Sequence, residues 1–554
     1  MKSTIKYTCA ILLSLLPLTV YSAKEKSKPA TVAARPRLVV GLVIDQMRWD
    51  FLYRYEGRYT AGGFKRLAQE GFNCQNTMIN YLPSFTAPGH ACIYTGSVPA
   101  LHGIAANDWY DNLEQRGVYC TEDANVTPIG SANDRAGKMS PANLRASTIT
   151  DELRLATNMG SRVYGLAIKD RGSILPAGHL ANGAYWYDDR TGDFISSSYY
   201  GPALPEWIKS FNGQKKAFQY IQAGWETMYP LNTYTQSLAD SNVYEGKMKT
   251  EEAPVFPHRV SNFDGSNFSA LRVMPAGNTI IFDAARACIE GEQLGGRENT
   301  DFLCLSFSST DYAGHTFGPN AVEMEDMYLR LDKDLAEFMA YLDGKLGKDN
   351  YLVFLTADHG GAHNARYLQD LRINAGNVSE PELLKQVNAH LKSIYARDSL
   401  VREVNNYQVY LNEKLATQNM IDREDLKRDV HTWLSRQKGV AYVIDMENMD
   451  ARIVPEPLRA MVINGYNRQR SGCLQFILEP GWYAGYAPTG TTHGSWNPYD
   501  THIPLLWYGW KVRPGETYRT VNMTDIAATL AALLHIQMPN ACVGEVIGEI
   551  MNRD

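Results

Sequence analysis

The sequence predicts an α/β fold: a doubly wound, largely parallel central sheet flanked by helices, with inserted cap segments. Two observations lead there. Three near-continuous apolar runs, Leu38 to Ile44, Phe302 to Phe307 and Tyr351 to Leu355, have the composition of strands buried on both faces, hence parallel. Between them lie helical patterns, above all Val322 to Leu342. Here Met324, Met327, Leu331, Leu335, Phe338, Met339 and Leu342 recur near a 3.6 period, and a stop is expected at Gly344. Strands alternating with helices argue for α/β layering.

Each apolar run leads to a carboxylate: Asp45 after the first, Asp311 after the second, Asp358-His359 after the third. Ligands of open parallel sheets bind outside the carboxyl ends of the strands, so the three acids are expected at one common edge. A further apolar stretch, Val163 to Ile168, leads to Lys169-Asp170-Arg171. Two regions break the rhythm. Residues 196–278 are rich in Tyr, Ser, Asn and Pro, and residues 365–481 read as mostly polar helical pattern. Both are expected to be cap insertions in one catalytic domain spanning 37–554. Near the end, Thr524 is placed to cap an alanine- and leucine-rich helix, Ile526 to Leu534.

The amino terminus has a basic start (Lys2, Lys6), an apolar run from about Cys9 to Val20, and small residues at Ser22 and Ala23, which is the pattern of a secretory signal peptide over 1–22. That run is short of the roughly 20 apolar residues a membrane span needs. The expected product is an exported, periplasmic or secreted protein without a stable membrane anchor, joined through a 23–36 linker. Seven cysteines remain after cleavage, without a CxxC pair, so they read as buried small hydrophobes or a few disulfides rather than a thiolate metal site. The formal net charge of -6, with acids and bases nearly balanced, announces no nucleic-acid surface. Oligomeric state is left open.

Asp311-Tyr312-Ala313-Gly314-His315 sets a carboxylate and an imidazole four apart, where a turn or first helical turn brings both to one side. Asp358-His359 adds two adjacent ligands, followed by Gly360-Gly361, whose bare backbone admits an ion or substrate. A lone Asp at a strand end is more often a cap or turn former. The paired pattern after apolar strands is a much rarer coincidence. Oxygen and imidazole donors without cysteine suit zinc in a hydrolytic site. His493, in the polar segment Thr489 to Ser495, is the best further ligand, and the other histidines, His90 and His258 among them, are read as bystanders. Thr86, in Pro83-Ser84-Phe85-Thr86-Ala87-Pro88, is expected at a helix cap, where a hydroxyl meets the positive end of the helix dipole; Ser84 is the rival nucleophile.

These residues resemble the alkaline phosphatase superfamily, and in particular its exported phosphate-irrepressible (PafA-type) alkaline phosphatases. The matching stretches include VVGLVIDQMR, PSFTAPGHACIYTGSVPALHGI, ANDWYD, AIKDRGSILPAGHLANGAYW, SFSSTDYAGHTFGP, FLTADHGG and TTHGSWNPYDTHIPLL, from about residue 38 to 510. The resemblance implies two zinc ions, one held by Asp311, His315 and His493, the other by Asp45, Asp358 and His359. Thr86 would be the nucleophile, forming a phosphothreonine, and Asn107, Lys169 and Arg171 would bind a phosphate monoester. Lys169 and Arg171, separated by one residue on a strand-like segment, would point the same way. The Cys-x-Pro-x-Arg pattern of sulfatases is absent. The alternatives are a phosphodiesterase or nucleotide pyrophosphatase on the same fold, and a non-catalytic metal or phosphate binder.

Overall fold

The computed structural model describes residues 1, 35–249, 251–261, 263–448, 454–485 and 488–551. The expected signal peptide and nearly all of the linker lie outside the described residues. Pro36–Asp554 clusters as one compact unit.

The central sheet is built from β1 (Leu38–Ile44), β2 (Phe72–Met78), β3 (Val163–Ala167), β4 (Gly183–Asp188), β5 (Asp193–Ser197), β6 (Asp301–Phe307), β7 (Tyr351–Thr356), β8 (Leu505–Gly509) and β9 (Gly515–Asn522), with two short edge pieces. Its middle runs β7-β1-β6-β3-β4, all parallel. Towards the margins it turns antiparallel, β8 against β7, β2 against β8 and β5 against β4, so the sheet is mixed around a parallel centre. The three apolar runs read from the sequence are the adjacent strands β7, β1 and β6, buried along their whole length. Gly41 in β1 is required by packing: a Cβ there would stand 2.3 Å from the Tyr94 hydroxyl and 2.6 Å from the Phe354 ring.

The helices that bear on the site are α1 (Thr86–Thr95), α2 (Asp170–Ala177), α3 (Ala276–Glu292), α4 (Ser309–Phe317), α5 (Val322–Leu346) and α6 (Asp525–Leu534). Helix α5 does not stop at Gly344. A side chain at Gly344 would meet open space, whereas Gly347 ends the helix with a positive φ (87°) that glycine tolerates, its N–H donating to the Asp343 carbonyl. Thr524 stands at the start of α6, but its side chain makes no bond to the helix. The Asp525 carboxylate instead ties the helix start to its surroundings, accepting from the Asn522 and Glu545 N–H groups, both outside the helix.

Residues 365–481 correct the sequence reading. They contain helices Glu380–Tyr395 and Arg423–Leu434, but also a four-stranded antiparallel sheet, Val401–Asn405, Gln408–Leu411, Leu474–Leu478 and Val440–Asp445. Helices and sheet bury their own apolar core around Leu391, Leu426, Val430, Phe476 and Trp482. In the 196–278 stretch, Ser196 still belongs to β5, and helices Glu206–Gly213 and Lys216–Ala223 lie along α3, where Lys216 pairs with Asp283 at 2.8 Å. The seven described cysteines are all free, and six are buried.

Candidate metal centre

Asp45 follows β1, and Asp358 and His359 follow β7, its neighbour in the sheet. All three are fully buried, and one ligand atom from each falls within 4.8 Å of the others. His359 Nε2 stands 3.4 Å from Asp45 Oδ1 and 3.6 Å from Asp358 Oδ2. Its Nδ1 lies 2.9 Å from the Gly360 carbonyl, so Nδ1 carries the proton and Nε2 turns a lone pair inward. Asp45 Oδ1 and Asp358 Oδ2 have no hydrogen-bond partner among the described residues. Three buried donor groups therefore converge, two of them carboxylates with an unpartnered oxygen. Burial, then the Asp45 carboxylate, pushes the Asp358 carboxyl well above its usual range, and burial holds His359 down to about 3. A divalent cation relieves that arrangement.

The second trio forms one strand over. Asp311 and His315 sit one turn apart on α4, as their spacing requires, and His493 arrives from the loop before β8. Asp311 Oδ1 is 3.1 Å from His315 Nε2 and 3.6 Å from His493 Nε2. The other ring nitrogens again face carbonyls, Nδ1 of His315 that of Thr491 and Nδ1 of His493 that of Ser84, each at 2.8 Å. Burial opposes the Asp311 charge, but His315 and Lys169 outweigh it and hold the carboxyl well below its usual range. The His359 and His493 rings stack at 3.4 Å and 12°, which ties the two trios together. His315 is the outward member, with 36 % of its side chain exposed. Both donor sets are nitrogen and oxygen only, matching zinc.

Thr86 stands beside the first trio, its Oγ1 3.4 Å from His359 Nε2 and 3.5 Å from Lys169 Nζ. It is not the cap of α1 but its first helical residue. Phe85, with extended backbone, occupies the cap position, which frees the Thr86 hydroxyl from capping. Ser84 faces away: its hydroxyl donates to the Ser495 carbonyl at 2.9 Å. Asn107 accepts from the Ala87 N–H at 2.9 Å, which holds it at the start of α1.

Lys169 and Arg171 are not on a strand. Lys169 is the cap residue of α2 and Arg171 lies inside its first turn, so the alternating strand pleat does not account for their placement. Lys169 is 4 % exposed and bridges the trios, with Nζ 2.6 Å from Asp45 Oδ2 and 2.5 Å from Asp311 Oδ2. Burial disfavours its charge, but Asp311 and Asp45 prevail and raise its pKa. Arg171 donates from Nη1 to the Tyr119 hydroxyl at 3.0 Å, and Tyr119 donates to Asp170 at 2.8 Å. The Arg171 Nε is buried without a partner among the described residues.

Two neighbours were not singled out from the sequence. His90, read as a bystander, joins neither trio. It is buried with Nδ1 2.9 Å from the Thr86 carbonyl and Nε2 2.9 Å from Ser306 Oγ, and burial lowers its pKa to about 4. It fixes the first turn of α1. Gln46, in the left-handed region at φ 63°, donates its backbone N–H to Asp358 Oδ1 at 3.2 Å and its side-chain amide to Asp311 Oδ1 at 2.7 Å. Gly314 makes room for it, since a Cβ there would meet the Gln46 amide oxygen at 1.9 Å. Residues that orient metal ligands typically matter by 10–100-fold. Gln46→Ala is accordingly expected to weaken metal binding or activity by about that factor, measured by titration against a competing chelator.

A parallel-centred sheet whose adjacent strand ends carry two Asp/His trios, with a helix-borne threonine beside them, is the architecture of a metal-dependent enzyme of the alkaline phosphatase superfamily. The chain belongs to the type I phosphodiesterase / nucleotide pyrophosphatase family, whose sequence pattern it matches over residues 39–502. It is 47% identical to alkaline phosphatase PhoV of Synechococcus elongatus over 99% of this chain and 100% of that one. With alkaline phosphatase PafA of Elizabethkingia meningoseptica it shares 45% identity over 97% of this chain and 99% of the relative. The crystal structure of wild-type PafA superposes with a TM-score of 0.92 at 46% identity, covering 94% of this chain and 99% of that one. A structure of a PafA variant carries substitutions at a threonine, an asparagine, a lysine and an arginine, spaced along that chain as Thr86, Asn107, Lys169 and Arg171 are here. A protein of Myroides odoratus named as a calcium-transporting ATPase is 49% identical over 94% of this chain and 95% of its own. Among the described residues of this chain no helix is long and apolar enough to cross a membrane.

Proposed function

We propose that this protein is an alkaline phosphatase that hydrolyses phosphate monoesters, using Thr86 as nucleophile between two zinc ions. One zinc would be held by Asp45, Asp358 and His359 and the other by Asp311, His315 and His493. The observation that carries this reading is the convergence of Thr86 Oγ1, Lys169 Nζ and the orphaned carboxylate oxygens of Asp45 and Asp358 in one buried place. When bound, zinc supplies Lewis acidity, lowering the pKa of the threonine hydroxyl and stabilising the leaving oxygen.

Thr86 is presented at the first turn of α1, whose dipole and free N–H groups favour an alkoxide and a phosphoryl group alike. Its oxygen attacks phosphorus, the alcohol leaves, and water then hydrolyses the phosphothreonine to release inorganic phosphate. Asn107, anchored to the Ala87 N–H, offers its amide to an unesterified phosphate oxygen. Lys169 and Arg171 match the two negative charges of a monoester and strengthen their hold as charge shifts in the transition state. Tyr407 of the 365–481 segment stacks on Phe85 and donates to the His493 carbonyl at 3.3 Å, so this segment serves as a cap bordering the site. The basic and apolar amino terminus supports export of the enzyme, to the periplasm or outside the cell.

The family's description names diesters and pyrophosphates. A diester offers one negative charge and fewer free oxygens, so it gains less from the Lys169 and Arg171 pair. Removing one such transition-state donor typically costs 10²–10³-fold. Lys169→Ala and Arg171→Ala are each expected to lower kcat/KM for p-nitrophenyl phosphate by about that much, and for its bis ester by less. Zinc content is measured alongside, because Lys169 touches Asp45 and Asp311. Equal losses for both esters at full zinc would make the pair structural.

A further inference from the structure

Asn107 and Arg171 lie far apart in sequence and meet through one antiparallel hairpin, Asp108–Asp111 paired with Arg116–Tyr119. Asn107 leads directly into the first strand, and Asp108 stands opposite Tyr119, the last residue of the second. Among the described residues, the Tyr119 hydroxyl is the one hydrogen-bond partner of the Arg171 guanidinium, 3.0 Å from its Nη1. The same hydroxyl donates to Asp170 Oδ1 at 2.8 Å, and Thr121 donates to Asp170 Oδ2. A phenol can accept and donate at once, so Tyr119 meets both demands of this place. Phenylalanine meets neither. Burial, then the Asp170 carboxylate, pushes the phenol well above its ordinary pKa, so its proton stays on under alkaline conditions.

The same hairpin end is held from a third side by the 365–481 segment. Its strands Val401–Asn405 and Gln408–Leu411 are joined by a two-residue turn, Asn406-Tyr407, with both residues left-handed (φ 57° and 62°). Glycine is the usual second residue of such a turn. Here a tyrosine takes that place and stacks its buried ring on Phe85, the residue before Thr86. The Tyr407 N–H donates to Glu380 Oε1 at 2.7 Å, which fixes the turn. From this base Asn406 Nδ2 donates to the Asp108 carbonyl at 2.7 Å, and Asn405 Nδ2 to Asp108 Oδ1 at 3.0 Å.

We infer, on the monoesterase reading of the site, that Tyr119 is a positioning residue for Arg171. The hairpin end it occupies, clamped by Asn406, holds Arg171 and Asn107 in one register for the phosphate. Among the described residues neither Tyr119 nor Asn406 hydrogen-bonds a member of either metal trio, so the effect on catalysis is separable from metal binding.

The test is a double-mutant cycle in the full protein. Values of kcat/KM for p-nitrophenyl phosphate and its bis ester are measured for the wild type, Tyr119→Phe, Arg171→Ala and the double variant, with melting temperature and metal content alongside. Tyr119→Phe is expected to lower the monoester value on the order of 10-fold and the diester value by less, with metal content unchanged. In the Arg171→Ala background the same change is expected to cost less than about twofold, because the group it places is gone. Asn406→Gly keeps a left-handed turn and removes only the amide. It is expected to lower the monoester value by about 3–10-fold and to lose most of that effect in the Asn107→Ala background. Wild-type monoester activity in Tyr119→Phe, or equal losses with and without Arg171, would overturn the role of Tyr119. An Asn406→Gly variant indistinguishable from the wild type would overturn the clamp. Normal monoester activity in Arg171→Ala would instead strike the site assignment itself, and this inference with it.

Discussion

Thr86→Ala is expected to lower kcat/KM for a phosphate monoester by on the order of 10³–10⁶-fold while leaving metal content unchanged. The hydroxyl is the one group beside the first trio that combines nucleophilic chemistry with freedom from structural duty. It caps nothing, and its nearest polar neighbours are His359 Nε2 and Lys169 Nζ. Truncation removes it without disturbing a ligand. Thr86→Ser keeps the oxygen and is expected to keep most of the activity. Quenching a reaction with labelled substrate in acid is expected to trap phosphate on the wild type and the serine variant, and none on the alanine variant. Near-normal turnover by Thr86→Ala would transfer the role to another group, and Ser84, bonded to the Ser495 carbonyl, is poorly placed to take it.

Stripping the metal is expected to abolish activity and to lower the melting temperature, with zinc restoring both. The first trio gathers two carboxylates and an inward imidazole lone pair at full burial, with Asp45 Oδ1 and Asp358 Oδ2 unbonded. Without a cation these groups must take up protons or endure their mutual repulsion, and burial already pushes the Asp358 carboxyl up towards protonation. A metal present at about 1,000 times its Kd contributes about 4.1 kcal/mol of stability per site, lost on chelation. The check is a thermal melt and a rate measurement before chelation, after it, and after adding back zinc. Full activity in a protein free of metal by elemental analysis would contradict the reading.

Much of this was legible in the sequence because parallel strands at the middle of a sheet are apolar from end to end. Leu38–Ile44, Asp301–Phe307 and Tyr351–Thr356 therefore stood out, and so did the acids that follow them. The four-residue spacing of Asp311 and His315 is a helical signature in itself. The second sheet was missed for the opposite reason. Val401–Asn405 is buried only at intervals, Val440–Asp445 is largely half-exposed, and both lie among charged helices, so neither forms an apolar run. Gln46 was invisible because its role depends on a left-handed backbone and on the space left by Gly314, far away in sequence. The displacement of Thr86 from the cap by one residue, and the helical setting of Lys169 and Arg171, turn on element boundaries. These are the features that a periodicity blurs most.

The central claim is that this site hydrolyses monoesters, and it is tested most directly by the wild-type, zinc-saturated enzyme acting on p-nitrophenyl phosphate and on bis(p-nitrophenyl) phosphate under one set of conditions. A kcat/KM for the monoester higher by several orders of magnitude is the expected result. Faster hydrolysis of the diester would contradict the account and return the protein to the phosphodiesterase activity that its family's description names.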